Sequence, residues 1–235
     1  MRSLRLLEKK AESRDVTSFV FGARDGGPLA DFRAGQHLPL EIALGDGRRA
    51  SRSYSLSNAP GQGRYRISVK RHEQGLVSRL LHERLEVGGV VDARPPAGDF
   101  VLPEGDGPLV LASAGVGLTP LVSMLHALAD AGDAREIWFV HGARDGDHHP
   151  LAGEVEALVS RLPNAHLHVA YSRSRAGDDG HGSRGRVDAA LLDRLLPELR
   201  RADFYLCGPP GFLGAVQSGL EARGVPPGRI HHESF

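Results

Sequence analysis

Within four consecutive residues, Arg52-Ser53-Tyr54-Ser55, the chain places a guanidinium fork, a flat phenol ring and two hydroxyls. An arginine fork matches a phosphate, an aromatic ring offers a stacking face to a flat heterocycle, and a serine hydroxyl can hydrogen-bond a ring nitrogen. On a strand, alternation puts Arg52 and Tyr54 on one face and Ser55 on the other. These groups together suit a flavin. Taken alone, they describe at least as well an amphipathic strand with an exposed arginine and a half-buried tyrosine.

Three further motifs follow in order. Gly75-Leu76-Val77-Ser78 opens a helical pattern, so its free amides and the helix dipole make an anion site for a pyrophosphate; in isolation it is merely a helix start. Gly115-Val116-Gly117 lies between an apolar strand and a helix, with Leu118-Thr119-Pro120 where a full GxGxxG loop would carry its last glycine. Pro120 at an early helical position suits an N-terminus aimed at a phosphate. Leu206-Cys207-Gly208-Pro209-Pro210 ends another strand, at the carboxyl edge where ligands gather in open parallel sheets. Cys207 reads either as a buried thiol or as a nicotinamide contact, and no partner base marks it as a nucleophile.

The elements that must hold these groups change character once along the chain. Up to residue 102, short β-rich runs at 4–7, 16–21, 38–44, 54–56, 65–70, 90–93 and 100–102 are divided by glycine, proline and charge, the spacing of a small antiparallel barrel. One helix interrupts them at 76–85, where Leu76, Leu80, Leu81 and Leu85 recur at a helical period and cap the barrel. From residue 109 strands at 109–112, 137–140, 167–171 and 204–206 alternate with helices at 118–131, 154–162, 189–196 and 212–222, the signature of a doubly wound parallel sheet. The fold class is therefore a two-domain β plus α/β protein, with domains at 1–104 and 105–235 and a hinge at Pro103-Glu104-Gly105-Asp106-Gly107. Residues 177–185 read as a flexible glycine-rich loop.

Composition removes other classes. Twenty-nine basic and 29 acidic residues balance to zero, giving no electrostatic case for nucleic acid. One cysteine excludes an internal disulfide and any CxxC metal site. The His148-His149 and His231-His232 pairs lack companions at ligand spacing and read as surface or turn residues, so no metal is expected. No apolar run is long enough for a membrane span and the N-terminus lacks a signal-peptide core, which points to the cytoplasm. GxSxG and P-loop motifs are absent from the sequence.

The order of the four motifs resembles that of the ferredoxin-NADP reductase superfamily over essentially the whole chain. The reductase module of flavohaemoglobins is most similar, given Gly75 to Ser78, Pro95-Pro96-Ala97-Gly98-Asp99-Phe100, Ala114 to Pro120, and the terminal Ile230-His231-His232-Glu233-Ser234-Phe235. The resemblance implies an FAD-binding barrel and an NAD(P)-binding sheet domain. Arg52 would bind the flavin pyrophosphate, with Ser53 beside it. Tyr54 would pack on the isoalloxazine and Ser55 would approach its N5. Gly75, Leu76, Val77 and Ser78 would hold the second phosphate region, with Val69 near them. Gln36 and His37 fall in the family's Gly-Gln-aromatic segment, with His37 towards the adenine side. Gly115, Gly117, Thr119, Pro120, Cys207, Gly208 and Pro209 would bind the nicotinamide dinucleotide. Glu233 and Phe235 would close the reacting end, the phenyl ring over the flavin.

The resemblance implies catalytic duties for Ser55, Thr119, Cys207, Glu233 and Phe235 in an FAD-dependent NAD(P)H reductase that passes electrons to a 2Fe-2S or haem partner. Ser172 and Arg173 could serve a 2'-phosphate, but Asp178 and Asp179 oppose its charge, so the balance leans to NADH over NADPH. Neither a globin nor a four-cysteine ferredoxin segment is present in these 235 residues, so nitric oxide dioxygenase activity is not carried over. The alternatives are reduction of free flavin as a substrate, and a flavin-binding redox subunit without turnover.

Overall fold

A computed structural model describes residues 1–44, 47–102, 105–178, 182–196 and 198–234. Strands β1 (Arg2–Ala11), β2 (Val16–Ala23), β3 (His37–Ala43), β4 (Arg49–Ser55), β5 (Tyr65–Lys70) and β6 (Val90–Ala93) form an antiparallel sheet in the order β4-β3-β6-β1-β2-β5. The two edges meet. Just beyond β4, Leu56 bridges Ile67, and the Ser57 N–H donates to Arg66 O at 2.8 Å, closing a barrel. Alternation turns Leu4, Leu6, Leu38, Leu40, Ile67 and Val69 inward.

Helix α1 (Leu76–Arg84) caps the barrel as the leucine period implies, but with a different stripe. Val77 and Leu81, four residues apart, enter the core, whereas Leu76 is 56% exposed. Burying those two side chains contributes about 1.5–3 kcal/mol each. The apolar run at 100–102 is not a strand. It crosses to the other domain instead: Phe100 joins that domain's core, its ring 5.3 Å from Tyr205, and the Tyr205 hydroxyl donates to Val101 O at 2.9 Å. An apolar core drew this segment more strongly than the barrel edge. The expected hinge falls partly on residues 103 and 104, outside the described residues.

The second sheet contains β7 (Leu109–Ala114), β8 (Ile137–Ala143), β9 (Ala165–Tyr171), β10 (Gly182–Arg184), β11 (Asp203–Cys207) and β12 (Ile230–Glu233). All pairs are parallel, in the order β10-β9-β8-β7-β11-β12. Leu109 and Leu111 face α2 (Leu118–Ala131) and α3 (Ala152–Ser160), while Val110 and Ala112 face α4 (Ala189–Leu195) and α5 (Pro210–Glu221). Both faces are thus covered, as continuous apolar strands require. Gly132, at φ 63°, ends α2 in the left-handed conformation that suits glycine.

Two strands were not anticipated. β10 lies within the stretch read as a flexible loop, whose residues 179–181 lie outside the described set. β12 adds the C-terminal segment to the sheet beside β11, carrying Glu233 to the level of Cys207. Among the described residues no helix is long and apolar enough to cross a membrane.

Candidate active site

Strand order reverses direction between β7 and β11, so the loops leaving Ala114 and Cys207 part to opposite sides and open a crevice at the carboxyl edge. The barrel lies across this edge. Between the domains runs a cleft of about 660 Å³, lined from the barrel by His37, Arg52, Ser53, Tyr54, Ser55, Val69 and Gly75 to Ser78, and from the sheet domain by Val116, Thr119, Glu233 and Ser234. That volume is in the usual range for a ligand site.

Antiparallel register places the polar groups. His37 stands opposite Ser55, and Leu38 opposite Tyr54. Arg52 is exposed, and its Nη1 donates to Ser51 O at 2.7 Å, on its own strand. Tyr54 is half-buried, and desolvation raises its phenol to about 12 despite the nearby charge of Arg52. It remains a neutral flat ring at ordinary pH.

No side chain caps α1, α2 or α5, although in α5 the Phe212 and Leu213 amides already donate to Pro209 O at 2.9 and 3.1 Å. By contrast Asp188 caps α4 through the Leu191 N–H at 2.7 Å. The Ser78 hydroxyl is engaged within its own turn, accepting from His72 N–H at 3.2 Å and donating to Gly75 O at 3.3 Å. Thr119 donates to Val116 O at 3.1 Å, which fixes the glycine turn to α2.

At the other end of the cleft the environment disfavours charge. Burial raises the Glu233 carboxyl and lowers the His37 imidazole. Burial, reinforced by the nearby Glu233 charge, pushes the Cys207 thiol far up. Glu233 Oε1 lies 3.7 Å from His37 Nδ1, and Glu233 Oε2 is buried without a protein partner. An orphaned acceptor in a cleft wall is a place for a ligand N–H or O–H. The cleft, the uncapped α1 terminus and this acceptor fit a flavin dinucleotide.

The structure places the remaining candidates apart from one another. Gly115, Gly117, Pro120, Cys207, Gly208 and Pro209 sit around the β7–β11 crevice, outside the cleft lining. Gly117 is forced: a Cβ there would stand 2.1 Å from Cys207 O. Ser172 and Arg173 follow β9, held by their amides to Ala143 O and Arg144 O. Gln36 also lies off the lining, its amide occupied by the Arg33 N–H at 2.9 Å and Gly98 O at 3.2 Å. His37 stands opposite Ser55 on the neighbouring strand and 3.7 Å from Glu233. Phe235 lies outside the described residues.

Sequence reasoning missed Ser68, Lys70, His72 and Gln74 in the cleft wall. Their signal was continuity, since Ser68 adjoins Val69 and the other three lie between Val69 and Gly75. It also placed the histidine pairs too uniformly at the surface. His149 is buried, stacked on His141 at 4.9 Å with Nδ1 3.0 Å from the Tyr171 hydroxyl, while His148 bonds Asp145 at 2.5 Å.

Residues 3–102 match the family described as "Oxidoreductase FAD-binding domain", and residues 111–218 match "Oxidoreductase NAD-binding domain". A flavohaemoprotein of Bordetella pertussis is 42% identical over 245 residues, covering 100% of this chain, which spans only 60% of that protein. The flavohaem-like FAD/NAD-binding domain of nitric oxide dioxygenase from Vibrio cholerae superposes with a TM-score of 0.92 at 38% identity, over 100% of this chain and 98% of that one. The flavohaemoglobin of Malassezia yamatoensis, solved with bound FAD and haem, gives a TM-score of 0.89 at 27% identity, covering 100% of this chain and 60% of that one. With a barrel and a parallel sheet meeting at one cleft, the chain belongs to the FAD-dependent NAD(P)H reductases of the ferredoxin-NADP reductase type, in the group that includes the reductase module of flavohaemoproteins.

Proposed function

We propose that the chain takes electrons from NADH through FAD to a one-electron haem or iron-sulfur acceptor. The observation that carries this reading is the single cleft in which Tyr54 and Ser55 of the barrel face Thr119 and Glu233 of the nucleotide domain. FAD bound there would accept hydride from the dihydronicotinamide and release the electrons singly.

The chain's own residues supply orientation and a dry site. Arg52 and the uncapped start of α1 hold phosphate; Tyr54 gives the ring a stacking face; Ser55, 5% exposed, presents a hydroxyl from the barrel wall. Thr119 and the glycine turn bring the nicotinamide in from the other side, and Cys207 packs at the crevice as a neutral thiol. His37 and Glu233 form the polar end of the cleft, where Glu233 Oε2 can accept a hydrogen bond. Phe235 is proposed as the lid that the nicotinamide displaces.

The preference for NADH rests on the loop after β9. Arg175 is already held by Asp147 at 2.5 Å and Asp145 at 3.1 Å, and Asp178 accepts from the Arg175 and Gly146 amides. A 2'-phosphate would meet these carboxylates. A haem acceptor is supported by the flavohaemoglobin of Malassezia yamatoensis, solved with bound FAD and haem.

The test is the anaerobic visible spectrum of the purified protein, titrated with NADH and, in parallel, with NADPH. Bleaching of a co-purified flavin by NADH, with a slower response to NADPH, is the expected result. A colourless protein that stays colourless after incubation with FAD overturns the cofactor assignment; flavin that binds only loosely and turns over as substrate favours a free-flavin reductase.

A further inference from the structure

The two domains are joined by a charged cluster set back from the cleft. Arg66, on β5 of the barrel, forms a two-pronged pair with Glu154 on α3: Nη1 donates to Oε2 at 2.8 Å and Nη2 to Oε1 at 2.6 Å. His126 on α2 places Nε2 2.6 Å from the same Oε1. One carboxylate therefore ties both α2 and α3 to the barrel. The three side chains are 15%, 23% and 17% exposed, so the pair is shielded enough to hold its geometry. Burial works against the charge on Glu154, but hydrogen bonds from His126 and Arg66 prevail and its pKa falls to about 2.

On the barrel side the cluster is continuous with the cleft wall. Arg66 Nε donates to Ser57 Oγ at 3.0 Å, and Ser57 Oγ lies 2.9 Å from Ser68 Oγ, a residue of the cleft lining. A second tie lies close by: Ser123 donates to Asn58 O at 2.8 Å. Ser123 is one turn beyond Thr119 on α2, and Asn58 is three residues beyond Ser55. Asn58 is itself fixed, its Oδ1 accepting the Arg66 N–H at 2.8 Å. These bridging residues thus sit directly behind the two that face each other across the cleft.

We propose that Arg66, Glu154 and His126 form an inter-domain clamp that positions the Thr119-bearing helix against the Ser55-bearing strand, and so sets how closely the nicotinamide approaches the flavin. None of the three touches the cleft, so they are positioning residues. The proposal rests on the function given above.

The experiment uses the full chain and the variants Glu154→Gln, Arg66→Lys and Glu154→Asp. Glu154→Gln preserves shape but removes the charge, and Arg66→Lys removes the two-pronged geometry. In flavin-free protein spin-labelled at the exposed positions Val87→Cys and Ser218→Cys, the inter-domain distance distribution is expected to broaden in both variants. With FAD bound, the rate of flavin reduction at saturating NADH should fall about 10–100-fold while the KM for NADH changes much less, because misplacement near 1 Å has that order of effect. Glu154→Asp should recover part of the rate.

An unchanged distance distribution with flavin reduction within about twofold of the parent overturns the clamp, that margin being far below the loss expected from misplacement. If the parent itself is not reduced by NADH, the functional reading fails, while the label distances still decide whether the cluster fixes the domains. Melting temperature and FAD content identify a variant that has simply unfolded; in that event the double variant Arg66→Met/Glu154→Gln, which leaves no unpaired charge, decides by the same two readouts.

Discussion

Replacing Gly117 by alanine puts a single methyl group where the nucleotide domain has no room for one. The residue has φ −62° and ψ −9°, values open to any amino acid, so the cost is steric. The new Cβ would lie 2.1 Å from Cys207 O, 2.5 Å from Cys207 C and 2.7 Å from Gly208 N, all main-chain atoms that no rotamer change can remove. Reaching even 3.0 Å requires about 0.9 Å of relative movement between the β7–α2 turn and the end of β11. Overpacking of this kind costs about 1–3 kcal/mol, or a fall in Tm of roughly 2–4 °C per kcal/mol for a chain of this size. The larger effect should be kinetic. Thr119 is two residues downstream, and a shift near 1 Å at a reacting centre costs on the order of 10²-fold.

The control is Gly115→Ala. Gly115 has φ 59° and open space around its missing Cβ, so that substitution incurs only the left-handed backbone penalty, about 1–2 kcal/mol. Anaerobic stopped-flow reduction of bound FAD separates the two: Gly117→Ala lowers the limiting rate, whereas Gly115→Ala raises the NADH concentration needed to reach it. A Gly117→Ala protein with unchanged Tm and a limiting rate within about threefold of the parent, against the 10²-fold expected, would refute the reasoning.

Three further outcomes are expected. Cys207, fully buried and held as the thiol by desolvation, should resist iodoacetamide at pH 8 in the native protein and react only after denaturation, read by mass spectrometry. Glu154 has a lowered folded pKa, so its contribution is complete above its ordinary value and lost as pH falls towards about 2; the stability gap between parent and Glu154→Gln should be flat from pH 5 to 8, about 1–2 kcal/mol after solvent screening, and shrink below pH 4.5 in denaturant titrations. Glu233 has a raised folded pKa, so its contribution is present at low pH and lost as pH rises; Glu233→Gln should therefore raise the Tm of flavin-free protein at neutral pH and leave it little changed at pH 4.

Local patterns made most of the architecture legible. Leu118 to Ala131 was readable to the residue because an apolar stripe ends at a left-handed glycine, a stop signal that needs no tertiary context. The cleft residues Arg52 to Ser55 and Gly75 to Ser78 were legible because the two motifs follow each other in order, although each alone reads as an ordinary strand or helix start. What escaped was decided at long range. Phe100 has the pattern of a strand but belongs to another domain's core, and β12 becomes a strand only because β11 offers an open edge. His37 could be assigned to the site but not to an end of it, since its place depends on pairing with Ser55, 18 positions away. The Arg66–Glu154 pair spans 88 positions and has no motif at all.

The crossing of Phe100 and Val101 bears on how this molecule can be made and divided. The nucleotide domain's interior includes a ring encoded with the barrel, and its Tyr205 hydroxyl finds its acceptor there. During synthesis that ring leaves the ribosome before any of the sheet that will enclose it, so the second domain completes its interior with a piece already delivered. A gene split after the barrel would give a first half with an apolar tail in water and a second half with an unfilled hole. A split ahead of Asp99 would keep the ring with its enclosure, and is the place to cut if the halves are to be exchanged between relatives.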